Sequence, residues 1–291
     1  EKPKQGRQYE ALYLRDWADK PIADLTNKRV QARYLHLCES SVAQSNQAMR
    51  NLKAIYNYAR AVYTDEDGGF LLRENPVNII SAAKIKQDVP ARTVKVPLDK
   101  VGTVWSLLAD LSEEQGGAVI SRTSADIVRF LLLTGARWSA AAELTADRVD
   151  LEGKCWHLPR KMGKSTALIA FPLSDQAVQL LAGRDVTEGF MFAGRSGDSH
   201  IREARGTFGK ISEVAGLPIT AHDMRRTFTA IAIELRIERF RYKLLMGHKL
   251  DAVDIQHYTE TEDLRWLSGE AQRIADWMAG VSHDNVVSIR A

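Results

Sequence analysis

From Ser41 to Val62 the apolar residues Val42, Met49, Leu52, Ile55, Tyr56, Ala59 and Val62 recur at three- and four-residue spacing. That period lays them on one face and predicts an amphipathic helix. Arg50, Lys53 and Arg60 fall between them and point elsewhere, as a solvated polar face or as a basic face for a phosphate backbone. The pattern stops at TDEDGG, a turn-forming cluster. Asn75-Pro76 then interrupts regular structure again, because a residue before proline avoids the helical region. The first ninety residues therefore read as mainly helical.

The stretch SAAKIKQDVPARTVKV, residues 81–96, has another character: Lys84, Lys86, Arg92 and Lys95 stand against one acid and a proline. It reads as an interdomain linker or a strap across DNA. Beyond Pro97, Asp99 is a plausible N-cap for a helix containing Val101, Val104, Trp105 and Leu108. Ala125 to Leu133 is a short, strongly apolar helix ended by Thr134-Gly135, where glycine tolerates a left-handed backbone. Two strand-like runs follow, Cys155-Trp-His-Leu-Pro and Ala167-Leu-Ile-Ala-Phe, with Gly163 at the expected hairpin tip. After Pro172 the helical pattern returns as far as Ala279.

Length and composition narrow the class. The 291 residues suggest two domains. With 45% hydrophobic and 26% charged residues, a sizeable core is possible. The net charge of +3 is compatible with a polyanionic partner without requiring one. Cys38 and Cys155 lack CxxC or histidine-spaced neighbours, so neither a zinc site nor a disulfide framework is indicated. No apolar run approaches the ~20 residues that span a bilayer. The first residues, EKPKQGRQ, lack the apolar core of a signal peptide. The expected location is therefore cytoplasmic, with bacterial nucleoid DNA and no membrane partner. The chain begins without Met, which leaves room for a further N-terminal arm-binding domain in a longer protein.

Five residues carry the chemistry: Arg137 in LLLTGARWS, His222 and Arg225 in TAHDMRR, His248 in LLMGHKL, and Tyr258 in IQHYTE. Arginine's planar fork can hold two phosphate oxygens at once. His222 and Arg225, three residues apart, share a face if their segment is helical. Thr220 is then the cap, and Phe228, Ile231, Ala232 and Leu235 form the anchoring face. Taken singly, Arg137 reads equally well as structural, and His248 and Tyr258 more readily as structural than as catalytic; their order and spacing give them weight.

TGARWSAAAELTADRVDLEGKCWHLP, AHDMRRTFTAIA and LMGHKLDAVDIQHY together resemble the signature boxes of the tyrosine recombinases, the phage-integrase family. KMGKSTALIAFPLS is similar to the family's β-hairpin, with Lys164 at the expected distance from Pro172 and Lys161 as the alternative. The likeness covers residues 98–270. The chain departs from the pattern at Ala140, where many relatives have glutamate; Glu143 lies one helical turn on.

The resemblance implies a mainly α fold with a small antiparallel β-sheet. Residues 1–80 would form a helical core-DNA-binding domain of SAM-like type, 81–97 a linker, 98–280 a mixed α/β catalytic domain, and 281–291 a tail. It implies site-specific recombination for a mobile element through a 3′-phosphotyrosine, using Arg137, Lys164, His222, Arg225, His248 and Tyr258, with no cofactor and no metal. Arg50, Lys53, Arg60, Lys84, Lys86, Arg92 and Lys95 are the candidate DNA contacts. The implied partners are double-stranded DNA, further copies of the chain as a tetramer on two duplexes, and accessory DNA-bending proteins. The apolar stripe Leu264, Leu267, Ala271, Ile274, Trp277 and Met278 is the expected docking element for a neighbouring copy. DNA relaxation of the type IB topoisomerase kind, and a non-catalytic DNA-binding protein of a mobile element, are the alternatives.

Overall fold

The structure, a computed structural model, describes residues 13–113, 119–162, 165–248 and 263–280. The chain divides into two compact units, residues 1–92 and 93–291. Among the described residues no helix is long and apolar enough to cross a membrane.

In the first unit, helix α1 (Asn27–Cys38) packs on helix α2 (Val42–Val62), and a short helix α3 (Ile79–Ala82) closes the group. Both long helices start where a hydroxyl can take an orphan amide: Thr26 accepts from the Arg29 amide at 3.3 Å, and Ser41 from that of Gln44 at 3.4 Å. Val30, Tyr34, Met49, Leu52, Val77 and Ile80 form the core. Of the expected α2 stripe, Ile55 and Val62 are exposed, at 39% and 51%. The buried stripe runs instead through Ser45, Ala48, Met49, Leu52, Tyr56 and Ala59. Ile55 and Val62 lie beyond its edge, on a 21-residue helix whose partner α1 has only 12 residues to cover it.

The stretch 81–97, expected to link the units, is shared between them. Ile85 packs on the first core, while Val94 and Val96 pack into the second. Gln87 is held within the first unit by two hydrogen bonds: its amide donates to the Tyr34 hydroxyl at 2.8 Å, and its carbonyl accepts from Asn46 at 2.9 Å. Tyr34 in turn donates to Asn46 Oδ1 at 2.9 Å.

In the second unit, helices α4 (Val101–Glu113) and α5 (Val119–Thr134) lead to a short helix α6 (Trp138–Ala142). Asp99 does not stand outside α4 as a cap; it sits within a 3-10 turn, Leu98–Lys100, that runs into the helix. A three-stranded antiparallel sheet follows, β1 (Val149–Asp150), β2 (Cys155–Met162) and β3 (Ser165–Pro172), in the order β1-β2-β3. Its register pairs Val149 with Trp156 and Cys155 with Pro172. The expected hairpin is thus present, while Gly163 lies outside the described residues. Helices α7 (Asp175–Ala182), α8 (Arg205–Ala215), α9 (Ala221–Glu234), α10 (Arg239–Leu245) and α11 (Ser268–Met278) complete the unit.

The sheet docks on α5 through rings: Phe130 meets Trp156 of β2 at 5.3 Å, and Phe192, from the segment after α7, joins Phe130 at 5.5 Å. A buried polar set braces α5 beside these rings, with Arg184 5.1 Å over Phe192. Arg184 pairs with Asp126 and donates to Thr123, and Asp126 accepts from Ser112 at 2.7 Å. Such a pair needs several hydrogen bonds to offset the loss of hydration, and these residues supply them.

The stripe expected to dock on a neighbour is instead part of this unit's own core. Leu264, Leu267, Ala271, Ile274, Trp277 and Met278 are all buried there. The amide of Leu264 donates to Ala170 at 2.8 Å, which ties the stripe to β3. The tail, 281–291, lies outside the described residues.

Candidate active site

The TGAR turn is built by α5. Thr134 donates to the Phe130 carbonyl at 2.7 Å and accepts from the Ala136 amide at 3.2 Å. Gly135 has φ +61°, and a Cβ there would come within 2.7 Å of Phe228 and 2.9 Å of Met246. Only glycine meets both demands. The turn places Arg137 at the N-cap of α6 with extended backbone, φ −74° and ψ 148°. Arg137 is exposed.

His222 and Arg225 start α9. Thr220 caps it as expected, and in partnership with Asp223: the Asp223 carboxylate accepts from the Thr220 amide at 2.9 Å and from its hydroxyl at 2.7 Å. Asp223 is fully buried and also pairs with Arg226 at 2.6 Å. The anchoring face is present in Phe228, Ile231 and Ala232, all buried. His222 is exposed and Arg225 is buried, at 6%.

Arg225 ties the site together. Its Nη1 donates to the Gly135 carbonyl at 2.6 Å and to the Met246 carbonyl at 2.8 Å. Its Nη2 is buried and has no hydrogen-bond partner among the described residues. Met246 precedes Gly247, whose φ of +66° turns the chain to bring the half-buried His248 in from the end of α10. The His248 amide closes that turn on the Lys243 carbonyl at 3.0 Å.

A cavity of about 720 Å³ adjoins these groups. Arg137, Arg148, Arg160 and His248 line it together with Glu143, and Trp156, Leu158 and Phe171 are among its apolar walls. Arg148, Arg160 and Asp223 were not singled out from the sequence. For Asp223 a signal existed, since Thr220-x-x-Asp223 is a capping-box spacing. The two arginines gave none, because their approach to Arg137 depends on the sheet. Glu143 is on this cavity.

The cations set the electrostatics. Burial, then the Arg137 charge, lowers the Arg225 pKa to about 10. Burial pushes His222 below its ordinary range, followed by Arg226 and Arg225 and more weakly Arg137, with Asp223 opposing. His248 is lowered by burial, then by Arg225, Arg137 and Lys243. Each charged neighbour disfavours a further positive charge, as does the loss of water. An anion placed here would reverse that balance.

The structure thus gathers Arg137, His222, Arg225 and His248 around one locus. Lys164 and Tyr258 lie outside the described residues, and Lys161 sits near the end of β2. In the first unit, Arg50, Lys53 and Lys86 line one groove of about 610 Å³. Arg60 is engaged elsewhere: it donates to the Leu72 carbonyl at 3.2 Å and lies 4.0 Å from the Phe70 ring. Lys84, Arg92 and Lys95 are exposed.

The profile of the Phage integrase family matches residues 106–265, more than half of the chain, and the chain belongs to that family. Among known proteins it is 29% identical to the prophage integrase IntF of Escherichia coli (strain K12) over 171 residues, 56% of this chain and 36% of IntF. It is 26% identical to the prophage integrase IntZ of the same strain over 212 residues, 72% of this chain and 48% of IntZ. The chain therefore spans half or less of the length of these curated relatives.

Its fold is like that of the Tn1549 transposon integrase in complex with circular intermediate DNA, with a TM-score of 0.58 and 20% identity over 84% of this chain and 83% of that one. It is also like a lambda integrase dimer bound to a COC′ core site, with a TM-score of 0.57 and 18% identity over 87% and 91% of the two chains.

Proposed function

We propose that this chain is a site-specific DNA recombinase of a mobile element, cutting and rejoining DNA through a 3′-phosphotyrosine. The observation that carries this is the Arg225 guanidinium. Its Nη1 is tied to Gly135 and Met246, and its Nη2 is buried and unpartnered among the described residues, near Arg137, His222 and His248. A buried cation with a spare donor needs an anion. Family membership and the integrase–DNA complexes of like fold make a DNA phosphate the fitting one.

In this reading the Tyr258 hydroxyl attacks the scissile phosphorus. The bond from phosphorus to Tyr258 Oη forms and the bond to the 5′ oxygen breaks. A tyrosine of ordinary pKa near ~10 must lose its proton during attack. His222, whose pKa burial and the neighbouring arginines lower, can accept it. Arg137 and Arg225 stabilise charge on the non-bridging oxygens, and His248 donates to one of them. Lys164, or Lys161 on the same hairpin, gives a proton to the leaving 5′ oxygen. The phosphotyrosine retains the phosphodiester energy, so a partner strand's 5′ hydroxyl can reverse the step without ATP.

Arg50, Lys53 and Lys86 would hold the duplex backbone in the first unit, and the exposed Lys84, Arg92 and Lys95 are further candidate contacts. Phosphate contacts of this kind set position, while base contacts set sequence. Assembly as a tetramer on two duplexes, assisted by DNA-bending proteins, and action on cytoplasmic nucleoid DNA complete the proposal.

The test is covalent capture on nicked duplexes from the junctions of the chain's own element. A detergent-resistant adduct with the parent, absent from Tyr258→Phe, is the expected result. Clear DNA binding with no adduct from the parent would overturn catalysis.

A further inference from the structure

We infer that Asp223 is a positioning residue: its buried carboxylate locks the start of α9 and pins Arg226, so that of the polar groups at this helix start His222 and Arg225, and not Arg226, face the phosphate. The inference rests on the reading of the site as a phosphate-cleaving centre.

Two adjacent arginines stand at this helix start, and they meet different fates. Arg225 turns inward onto the Gly135 and Met246 carbonyls with Nη2 spare. Arg226 is held by Asp223 Oδ1 at 2.6 Å, with 27% of its side chain exposed. The other carboxylate oxygen takes the Thr220 amide and hydroxyl. Through its backbone carbonyl, Asp223 also accepts from Thr227 at 2.9 Å. One residue thereby fixes the turn before it, its own turn and the charge beside it.

A solvated helix cap needs no full burial, yet Asp223 is 0% exposed. Burying a carboxylate is costly unless it is paired and hydrogen-bonded, and here both conditions are met. Without the pair, Arg226 would be a mobile cation next to His222 and could compete with Arg225 for the phosphate. The groups charged toward His222 are Arg226, Arg225 and Asp223 on its own helix and Arg137 at the start of α6.

The experiment compares Asp223→Asn and Arg226→Gln with the parent in the full chain. The His222 imidazole is followed by NMR titration, assigned through the signal lost in His222→Asn. Adduct formation on a nicked duplex is timed across pH. Asp223→Asn keeps an acceptor for Thr220 but removes the charge, so His222 should titrate lower than in the parent. Adduct formation by the folded variant should fall at least tenfold. Arg226→Gln removes the opposing charge, so His222 should titrate higher.

Displacement in opposite directions is not expected of a cap that only holds the fold. The inference is overturned if His222 titrates as in the parent in both variants, or if Asp223→Asn forms adduct within twofold of the parent rate. Should Asp223→Asn not fold, Arg226→Gln, altered at a part-exposed side chain, decides by the direction in which His222 moves. A parent without adduct would overturn the recombinase reading, and the two His222 displacements would still decide this inference.

Discussion

Arg225 and Gly135 are ninety residues apart in the chain and are joined by a 2.6 Å hydrogen bond from the guanidinium to the carbonyl. The same nitrogen reaches Met246, so one side chain holds both turns that deliver Arg137 and His248. Arg225→Lys offers a single nitrogen to carbonyls and phosphate alike. DNA binding should survive, and adduct formation should fall about 100-fold or more, the scale of losing an aligned charge-stabilising donor. Band-shift and adduct gels on the same duplex check this.

The spare Nη2 of Arg225 makes the site receptive to small anions as well. Inorganic phosphate should raise the melting temperature of the parent by mass action. It should raise that of Arg225→Ala less, as thermal melts at matched ionic strength would show.

Gly135→Ala forces a side chain into left-handed backbone and against Phe228 and Met246. Backbone strain and overpacking together should cost about 2–4 kcal/mol in urea denaturation. Binding through the DNA surface proposed for the first unit should be little affected.

Thr227 accepts from the Val96 amide at 3.0 Å while donating to the Asp223 carbonyl, and both Thr227 and Val96 are fully buried. Thr227→Val keeps the shape and leaves a buried amide unpaired. A loss of about 1–3 kcal/mol in urea denaturation is expected.

His222 and His248 are both lowered by burial and by neighbouring arginines. As pH falls, the unfolded chain takes up protons at the ordinary histidine value of ~6.5, before the folded protein does. Over that window the unfolded state binds more protons, so stability falls with falling pH. Substituting both by glutamine should flatten the decline in denaturation midpoint below about pH 6.5.

Much of this was legible in the chain because local chemistry decided it. Ser41 and the TDEDGG turn bracket α2 to within a residue, and Gly135 and Thr220 mark the ends they terminate. Periodicity tells that a face is buried but not against what. Hence Ile55 and Val62 were assigned to a core that does not reach them, and the stripe from Leu264 to Met278 was assigned to a neighbour rather than to its own unit. Asp223 was passed over because it stands between two more reactive residues. The Arg184–Asp126 pair and the approach of Arg148 and Arg160 to Arg137 join positions far apart in the chain, and no local pattern announces them.

The most direct measurement is mass spectrometry of the covalent adduct after nuclease and protease digestion. The peptide containing Tyr258 should carry a nucleotide joined through its 3′ phosphate, and the Tyr258→Phe protein should yield no such species. A nucleotide on any other residue, or none from a protein that binds and nicks the same duplex, would contradict the phosphotyrosine mechanism.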